Sequence, residues 1–162
     1  MKKSAVFSSD RTYRYILWRI WDEDMPYAMF VGLNPSTADE KKDDPTVRRC
    51  IGYAQYWKYG ALCMTNLFAF RVTDPKILKS VKEPIGKDND MWLKRLSKKA
   101  GIVIAAWGVN GGYMGRDKFV LRLLDNTYCL QTTKDGFPSH PLYLKKSICP
   151  KKLVANIMKG GE

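Results

Sequence analysis

Residues 27–33, Y-A-M-F-V-G-L, carry no charged side chain, and the polar pair Asn34-Pro35 follows them directly. A short apolar run that ends in turn residues is typical of a strand buried on both faces. Further on, Asp44-Pro45 predicts the start of a helix, with Asp as the cap and Pro at the first helical position. Apolar residues then recur at helical spacing, and Gly60 is the predicted stop. A buried strand followed by a helix is the basic unit of an alternating α/β fold.

The same alternation continues on both sides of this unit. The predicted strands are residues 13–21, 27–33, 61–67, 102–107 and 127–130, and the predicted helices begin at Asp44 and cover 88–99, 116–124 and 151–158. Residues 22–26 form a turn, which favours a hairpin between the first two strands. We therefore expect one α/β domain over residues 1–162, a three-layer α/β/α sandwich with a mainly parallel central sheet.

The charge of the chain is large and uneven. Its 162 residues include 28 Lys and Arg against 16 Asp and Glu, a formal net charge of +12. Residues 22–44 hold seven acids and two lysines, a local charge of −5, so the remainder carries +17. A basic excess favours a polyanionic partner such as nucleic acid, which releases counterions on binding. The open alternative is a basic surface that only keeps the protein soluble.

Other classes of protein are not expected from this composition. No apolar run approaches the roughly 20 residues of a membrane span, and the N-terminal M-K-K-S-A-V-F-S-S-D-R lacks the apolar core of a signal peptide. Cys50, Cys63, Cys129 and Cys149 are too scattered for a zinc site, and Cys63 and Cys129 fall in apolar strands as core residues. We expect a cytoplasmic monomer without a metal site.

Ligands of parallel sheets bind beyond the carboxyl ends of the strands, and four loops qualify. Residues 32–39 present Asn34, residues 65–71 present Asn66, and residues 136–144 hold the one histidine, His140. Residues 108–115 contain four glycines and open a helix, which suits a phosphate contact, but they match neither the P-loop nor the dinucleotide fingerprint. Three of these loops have a plain alternative: an ordinary Asn-Pro turn, a satisfied Asn at a strand end, and a structural or exposed His.

Five segments together carry a resemblance: L-N-P-S-T-A-D, D-D-P-T-V-R-R-C-I-G, T-N-L-F-A-F-R, A-A-W-G and S-H-P-L-Y-L. They resemble an uncharacterised domain family of bacteria and phages, over about residues 27–144. The order G-x-N-P, T-N-x-x-x-x-R, W-G, H-P is also similar to that of the uracil-DNA glycosylase superfamily. That similarity implies a compact α/β sandwich that cleaves a base from DNA. We expect the substrate base to be uracil-like or modified, and the protein to act in phage–host conflict.

The glycosylase resemblance also implies a role for each motif residue. Asn34 orients the hydrolytic water, Asn66 contacts the edge of the flipped base, and His140 stabilises charge on the departing base. Our candidate base-binding set is Gly32, Pro35, Ser36, Asn66, Phe68, Phe70 and Gly108, and our candidate phosphate contacts are Arg48, Arg49, Arg71 and Arg116. Phe68 and Phe70 have core packing as their alternative.

Acids beside the first motif complete the candidate site. Asp39 is the third candidate catalytic residue, and Asp43 or Asp44 could likewise assist the water or stabilise charge on the sugar. Glycosidic cleavage needs a placed water and a polar group near the base, but no metal. No cofactor is expected, because the cysteines do not match the iron–sulfur ligands of the cluster-bearing glycosylases.

Two other functions remain open at this point. The first is a non-catalytic nucleic-acid or nucleotide-binding module of the same fold. The second is metal-dependent phosphodiester chemistry through Asp39, Asp43 and Asp44. The sequence names neither the base nor the strandedness of the DNA, single or double.

Overall fold

A computed structural model describes residues 1–153 as a mixed α/β fold built on one sheet. Its strands lie in the order β1-β2-β4-β3-β5-β6-β7. In chain order they are β1 Lys2–Phe7, β2 Arg14–Ile20, β3 Tyr27–Gly32, β4 Ala61–Asn66, β5 Ile102–Ala105, β6 Tyr128–Cys129 and β7 Lys151–Lys152.

Helices fill the connections between these strands. They are α1 Pro45–Tyr56, α2 Pro75–Leu78, α3 Asn89–Lys99 and α4 Arg116–Leu123, with a 3-10 helix at Val109–Gly115. The start of α1 is as predicted, since the Asp44 carboxylate accepts a hydrogen bond from the nitrogen of Val47 at 2.8 Å. The helix ends before Gly60, because Lys58 adopts a φ of +68°.

The sheet is mixed rather than mainly parallel throughout. β4, β3, β5 and β6 pair in parallel, whereas β1 with β2, β2 with β4 and β6 with β7 are antiparallel. Parallel pairing is therefore confined to the centre, where the strands are short and buried.

The predicted strands 13–21 and 27–33 correspond to β2 and β3. The hairpin predicted between them is wrong, because β4 lies between β2 and β3. The turn at residues 22–26 passes across the start of β4 instead. The carbonyl of Gly60 accepts hydrogen bonds from the nitrogens of Trp21 and Asp22, and its nitrogen donates to Pro26. A Cβ on Gly60 would lie 2.1 Å from the Asp22 oxygen, so only glycine allows this close crossing.

The alternation along β3 places its side chains in two core clusters. Met29 and Val31 pack with Leu93 of α3 and Val120 of α4. Ala28 and Phe30 pack in the other cluster, which includes Val47, Cys50 and Tyr53 of α1. Successive strand residues face opposite ways, so α1 covers one face of β3, and α3 and α4 cover the other.

Two ends of the chain differ from the prediction. β1 was not predicted: it is an edge strand that begins with two exposed lysines, so it lacks an apolar pattern. The helix predicted at 151–158 is contradicted at its start, where Lys151 and Lys152 form β7 and Leu153 is not helical, and residues 154–158 lie outside the described residues. Cys63 and Cys129 are buried core residues, as predicted. Across residues 1–153, no helix is both long and apolar enough to cross a membrane.

Candidate functional site

A cavity of about 390 Å³ lies at the carboxyl ends of the parallel strands. The connection that leaves β3 leads to α1 on one face, and the connection that leaves β4 leads to α3 on the other. Such a divergence opens a crevice between the two strand ends, where open α/β sheets bind ligands. The lining comes from all four predicted loops, from the start of α1 and from the start of β2.

Asn34, Asn66 and His140 all line this cavity. Gly32, Ser36 and Gly108 line it too, whereas Pro35, Phe68 and Phe70 do not. The volume lies near the lower end of the roughly 300–1,000 Å³ usual for small-molecule sites. The structure therefore brings the three motif side chains to one compartment.

Asn66 forms the inner wall of the cavity beside Gly32. The two residues are paired in the parallel register of β3 and β4. A Cβ on Gly32 would lie 2.9 Å from the Oδ1 of Asn66, so the glycine makes room for the amide. Asn66 is 2% exposed, and its Nδ2 has no hydrogen-bond partner within residues 1–153. A buried donor of this kind is one that a ligand could satisfy.

Asn34 is held in one orientation by the backbone around it. Its Nδ2 donates to the carbonyl of Val72 at 2.5 Å and to the carbonyl of Pro35 at 3.1 Å. With both amide hydrogens engaged, the group that Asn34 offers to the cavity is its Oδ1, an acceptor. The geometry suits a water that donates a hydrogen bond to this oxygen.

His140 stands exposed at the rim. Its Nδ1 accepts a hydrogen bond from the nitrogen of Leu142 at 3.2 Å, so the proton of the neutral ring resides on Nε2. Desolvation lowers the pKa of His140 below its ordinary value, and the Asp44 carboxylate acts in the opposite direction. The ring therefore offers a neutral N–H donor at pH 7.

Arg14 is a lining residue that the motifs did not predict. Val6 pairs with Ile16 and Phe7 with Arg14, so Tyr15 is an extra residue on β2, a β-bulge. As a result, Tyr15 and Ile16 both join the core cluster on the α3 side, and Arg14 is directed to the cavity. Because β2 runs antiparallel to β4, its first residue lies at the edge of the sheet where the parallel strands end.

Trp107 is the second lining residue whose role was not predicted. It is 2% exposed, and its Nε1 has no partner within residues 1–153. Gly111 packs against the ring so closely that a Cβ there would lie 2.0 Å from Cδ1. The A-A-W-G segment belongs to the motif set, but nothing in it indicates that the indole lines a site.

Asp44, rather than Asp39, is the carboxylate of the cavity. Asp39 accepts hydrogen bonds from the nitrogens of Lys41 and Lys42, which lower its pKa, and it does not line the cavity. Asp43 forms ion pairs with Arg19 at 2.6 Å and Lys3 at 3.2 Å. The three aspartates thus have separate environments, and no cluster of three metal-binding side chains occurs within residues 1–153.

The remaining predicted contacts fall outside the cavity. Phe68 is fully buried against Tyr113, and Phe70 contacts Tyr13 edge-on. Arg116 is 4% exposed and donates to the carbonyl of Leu67 and to Asp90. Because its guanidinium is buried and bound to these two groups, Arg116 is not placed to contact a phosphate.

Two shallow basic hollows flank the cavity. One is lined by Arg11 and Arg71 and shares Ser36, Val72 and Thr73 with the cavity. The other is lined by Arg48, Arg49 and Lys146 and shares Leu142. Arg11 and Lys146 were not predicted as contacts, although the net charge indicates a basic surface. A polyanion could therefore follow basic residues on both sides of the cavity.

Comparison with known proteins gives a family and nothing finer. No curated protein matches the chain, and no solved structure matches it. One family model, described as "Protein of unknown function (DUF1643)", matches residues 14–142, a range that includes Asn34, Asn66 and His140. The chain therefore belongs to the DUF1643 family.

Proposed function

We propose that this protein is a DNA glycosylase-like hydrolase that cleaves the N-glycosidic bond of a uracil-like or modified base. The observation that carries the proposal is that Asn34, Asn66 and His140 line one cavity at the carboxyl ends of the parallel strands. We include in the proposal the three-layer sandwich of the uracil-DNA glycosylase superfamily as the fold, and a role in phage–host conflict.

The proposed reaction replaces the bond between C1′ of the sugar and the base nitrogen. Water adds to C1′, the base leaves with the bonding electron pair, and the proton of the water ends on the base. The products are a free base and an abasic site. Positive charge develops on the sugar and negative charge on the base, so catalysis needs groups placed for both.

The lining residues suit these needs. Asn34 Oδ1 accepts a hydrogen bond from the attacking water, and its orientation is fixed by the bonds of Nδ2 to Val72 and Pro35. Asp44 takes the place foreseen for Asp39, because it is the lining carboxylate that can stabilise the sugar or receive the proton. Asn66 contacts the base edge, and the Nε2 hydrogen of His140 approaches the base from the rim.

DNA is the proposed partner, bound by a single copy of the chain. A base must leave the stack to enter a cavity of this size, and the flanking strand then lies over the two basic hollows. Arg48, Arg49 and Arg71 remain the proposed phosphate contacts, joined by Arg11 and Lys146. Arg116 is dropped, since its donors are engaged by Leu67 and Asp90.

The test is base release from single- and double-stranded oligonucleotides that carry uracil and other modified bases. Alkali cleavage at abasic sites is the readout in the presence of chelator, and a parallel reaction with a divalent metal and no alkali reports direct strand cleavage. We expect release by the wild type and a fall of at least about 100-fold in Asn34→Ala, by analogy with the loss of one placed group. Gln55→Ala, an exposed amide on α1, is the matched control and should retain full activity.

Two results would overturn this proposal. No abasic site from any base, with salt-sensitive DNA binding that His140→Ala leaves unchanged, would identify a binding module. Strand cleavage that depends on a divalent metal would identify phosphodiester chemistry instead.

A further inference from the structure

Arg14 is the buried cation of the cavity. The charged or titratable lining residues are Arg14, Asp44 and His140, and only Arg14 is fully buried, at 2% exposed. Its Nη1 donates to the carbonyl of Ala38 at 2.9 Å, while its Nε has no partner within residues 1–153. It forms no salt bridge with any carboxylate of the described chain.

A neighbouring arginine indicates how unusual this is. Arg19 is also fully buried, but it pairs with Asp43 and donates to the carbonyls of Trp18, Asp39 and Lys42. A buried charge without a partner is costly, so proteins normally pair it or expose it. The donors of Arg19 therefore stabilise the fold, whereas Arg14 retains an N–H donor without a partner at the wall of the cavity.

The other orphaned groups of the lining have the same polarity. Asn66 Nδ2 and Trp107 Nε1 are, like Arg14 Nε, buried N–H donors without a partner in the described chain. Three donors, one of them on the Arg14 cation, favour a ligand that presents several acceptors and negative charge. Burial lowers the pKa of Arg14 to about 10, which leaves the guanidinium charged at neutral pH.

We propose that Arg14 binds the negative charge that develops on an oxygen of the departing base, and that it selects oxo bases over bases with amino groups alone. This inference rests on the proposed glycosylase function and adds a residue that the family resemblance does not supply. His140, neutral and at the rim, is left as a supporting donor. The β-bulge at Tyr15 is what brings Arg14 to this position.

A binding experiment tests Arg14 without catalysis. The probes are free uracil, which is neutral at pH 7, and a pyrimidine-2,4,6-trione, which is an anion at that pH. We expect the wild type to bind the trione at least about tenfold more tightly than uracil, the ratio that a hydrogen bond to a charged group supplies. Arg14→Met should abolish this preference, and Arg14→Lys, which keeps the charge, should retain part of it.

A kinetic experiment tests the same residue on DNA. Base release is compared for uracil and 5-fluorouracil, because the fluorinated base is the more acidic leaving group and needs less help. Arg14→Met or Arg14→Lys should slow uracil release by a larger factor than 5-fluorouracil release. A purely structural defect would slow both equally.

The binding and kinetic experiments together distinguish a failure of the glycosylase proposal from a failure of the Arg14 inference. If no DNA base is released but the trione preference exists and disappears in the Arg14 variants, the glycosylase proposal fails and the anion site stands. If bases are released, yet Arg14→Lys changes neither the trione preference nor the leaving-group ratio, the Arg14 inference is wrong. Far-ultraviolet circular dichroism checks that each variant is folded, and Arg14→Lys decides the matter if Arg14→Met is not.

Discussion

The main-chain nitrogen of Gly108 donates a hydrogen bond to the carbonyl oxygen of Pro138 at 2.8 Å. This bond joins the loop after β5 to the loop that carries His140, and the nitrogen of Ser139 adds a second tie to Gln131. Gly108 reaches the position with φ of +75° and ψ of −167°, a combination that is essentially confined to glycine. The placement of the one histidine thus depends on the backbone of a residue in another loop.

The first prediction concerns that glycine. Gly108→Ala should reduce the free energy of unfolding by about 1–3 kcal/mol, the cost of placing a side chain in this backbone region. It should also slow base release, because the His140 loop loses its anchor. Urea unfolding measures the first effect. Gly112→Ala is the control, since its Cβ would meet Phe137 at an ordinary 3.5 Å, and equal stability of the two variants would contradict the prediction.

The second prediction concerns the titration of His140. Its pKa should lie below 6.5, because desolvation opposes the charged ring more strongly than Asp44 favours it. Asp44→Asn keeps a good helix cap but removes that carboxylate, so it should lower the pKa further. With one histidine in the chain, the ring signals in a proton NMR titration report this value directly.

The same shift has a consequence for stability. The unfolded chain binds the proton more readily than the folded one, so the His140 contribution is complete above about pH 6.5 and is lost as the pH falls below it. His140→Gln should therefore show a smaller loss of stability between pH 8 and pH 5.5 than the wild type. A pKa of His140 at or above 6.5, or identical pH profiles, would refute this.

The third prediction concerns Arg19, which clamps the acidic segment after the first motif. Arg19→Met leaves Asp43 only its longer contact with Lys3 and removes a buried donor from the carbonyls of Asp39 and Lys42, so it should cost about 3–5 kcal/mol of stability. Arg11→Met removes an exposed pair with Glu40 and should cost about 0–1 kcal/mol. Chemical denaturation of the two variants side by side is the measurement, and similar losses would argue against a buried clamp.

The fourth prediction concerns the basic hollows. If Arg48 and Arg71 bind phosphates, replacing both with Gln should reduce the slope of log K against log salt by about 0.7–0.9 for each phosphate that is no longer neutralised. The paired control is Lys98→Gln with Lys99→Gln at the end of α3, which line neither hollow. Fluorescence anisotropy with a labelled oligonucleotide over a salt series gives the slopes. An equal change in both pairs would point to general charge rather than direct phosphate binding.

Much of the central fold was accessible from the sequence, because buried parallel strands are apolar and α1 begins with a clear Asp44 cap. The strands around Phe30 and Met64 and the start of α1 at Pro45 were predicted within about two residues. The pairing of strands was less accessible. The turn at 22–26 is compatible with a hairpin and also with a connection that passes across the start of β4. Which of the two forms depends on Gly60, 34 residues further along the chain.

The candidate site also has one part that the sequence predicts and another that it does not. Asn34, Asn66 and His140 were expected to share one edge, because the carboxyl ends of parallel strands meet there. Arg14 was not expected at this edge. Strict alternation of side chains from Leu17 would point Arg14 away from the cavity, and the bulge reverses the direction of its side chain. The choice between Asp39 and Asp44 was not accessible, because both carboxylates accept hydrogen bonds from backbone nitrogens and only the three-dimensional packing places Asp44 at the cavity.

The buried cation of the cavity depends on the bulge at Tyr15, whereas the shape of the cavity depends on the four loops. A regular pairing of the same residues, without the bulge, would place Tyr15 on the cavity face of β2 and turn Arg14 to the opposite face, without altering any loop of the site. Relatives with the same four loops could therefore differ in whether they accept an anion. Within such a family, the register of an edge strand pair would be a better guide to substrate charge than the motifs themselves.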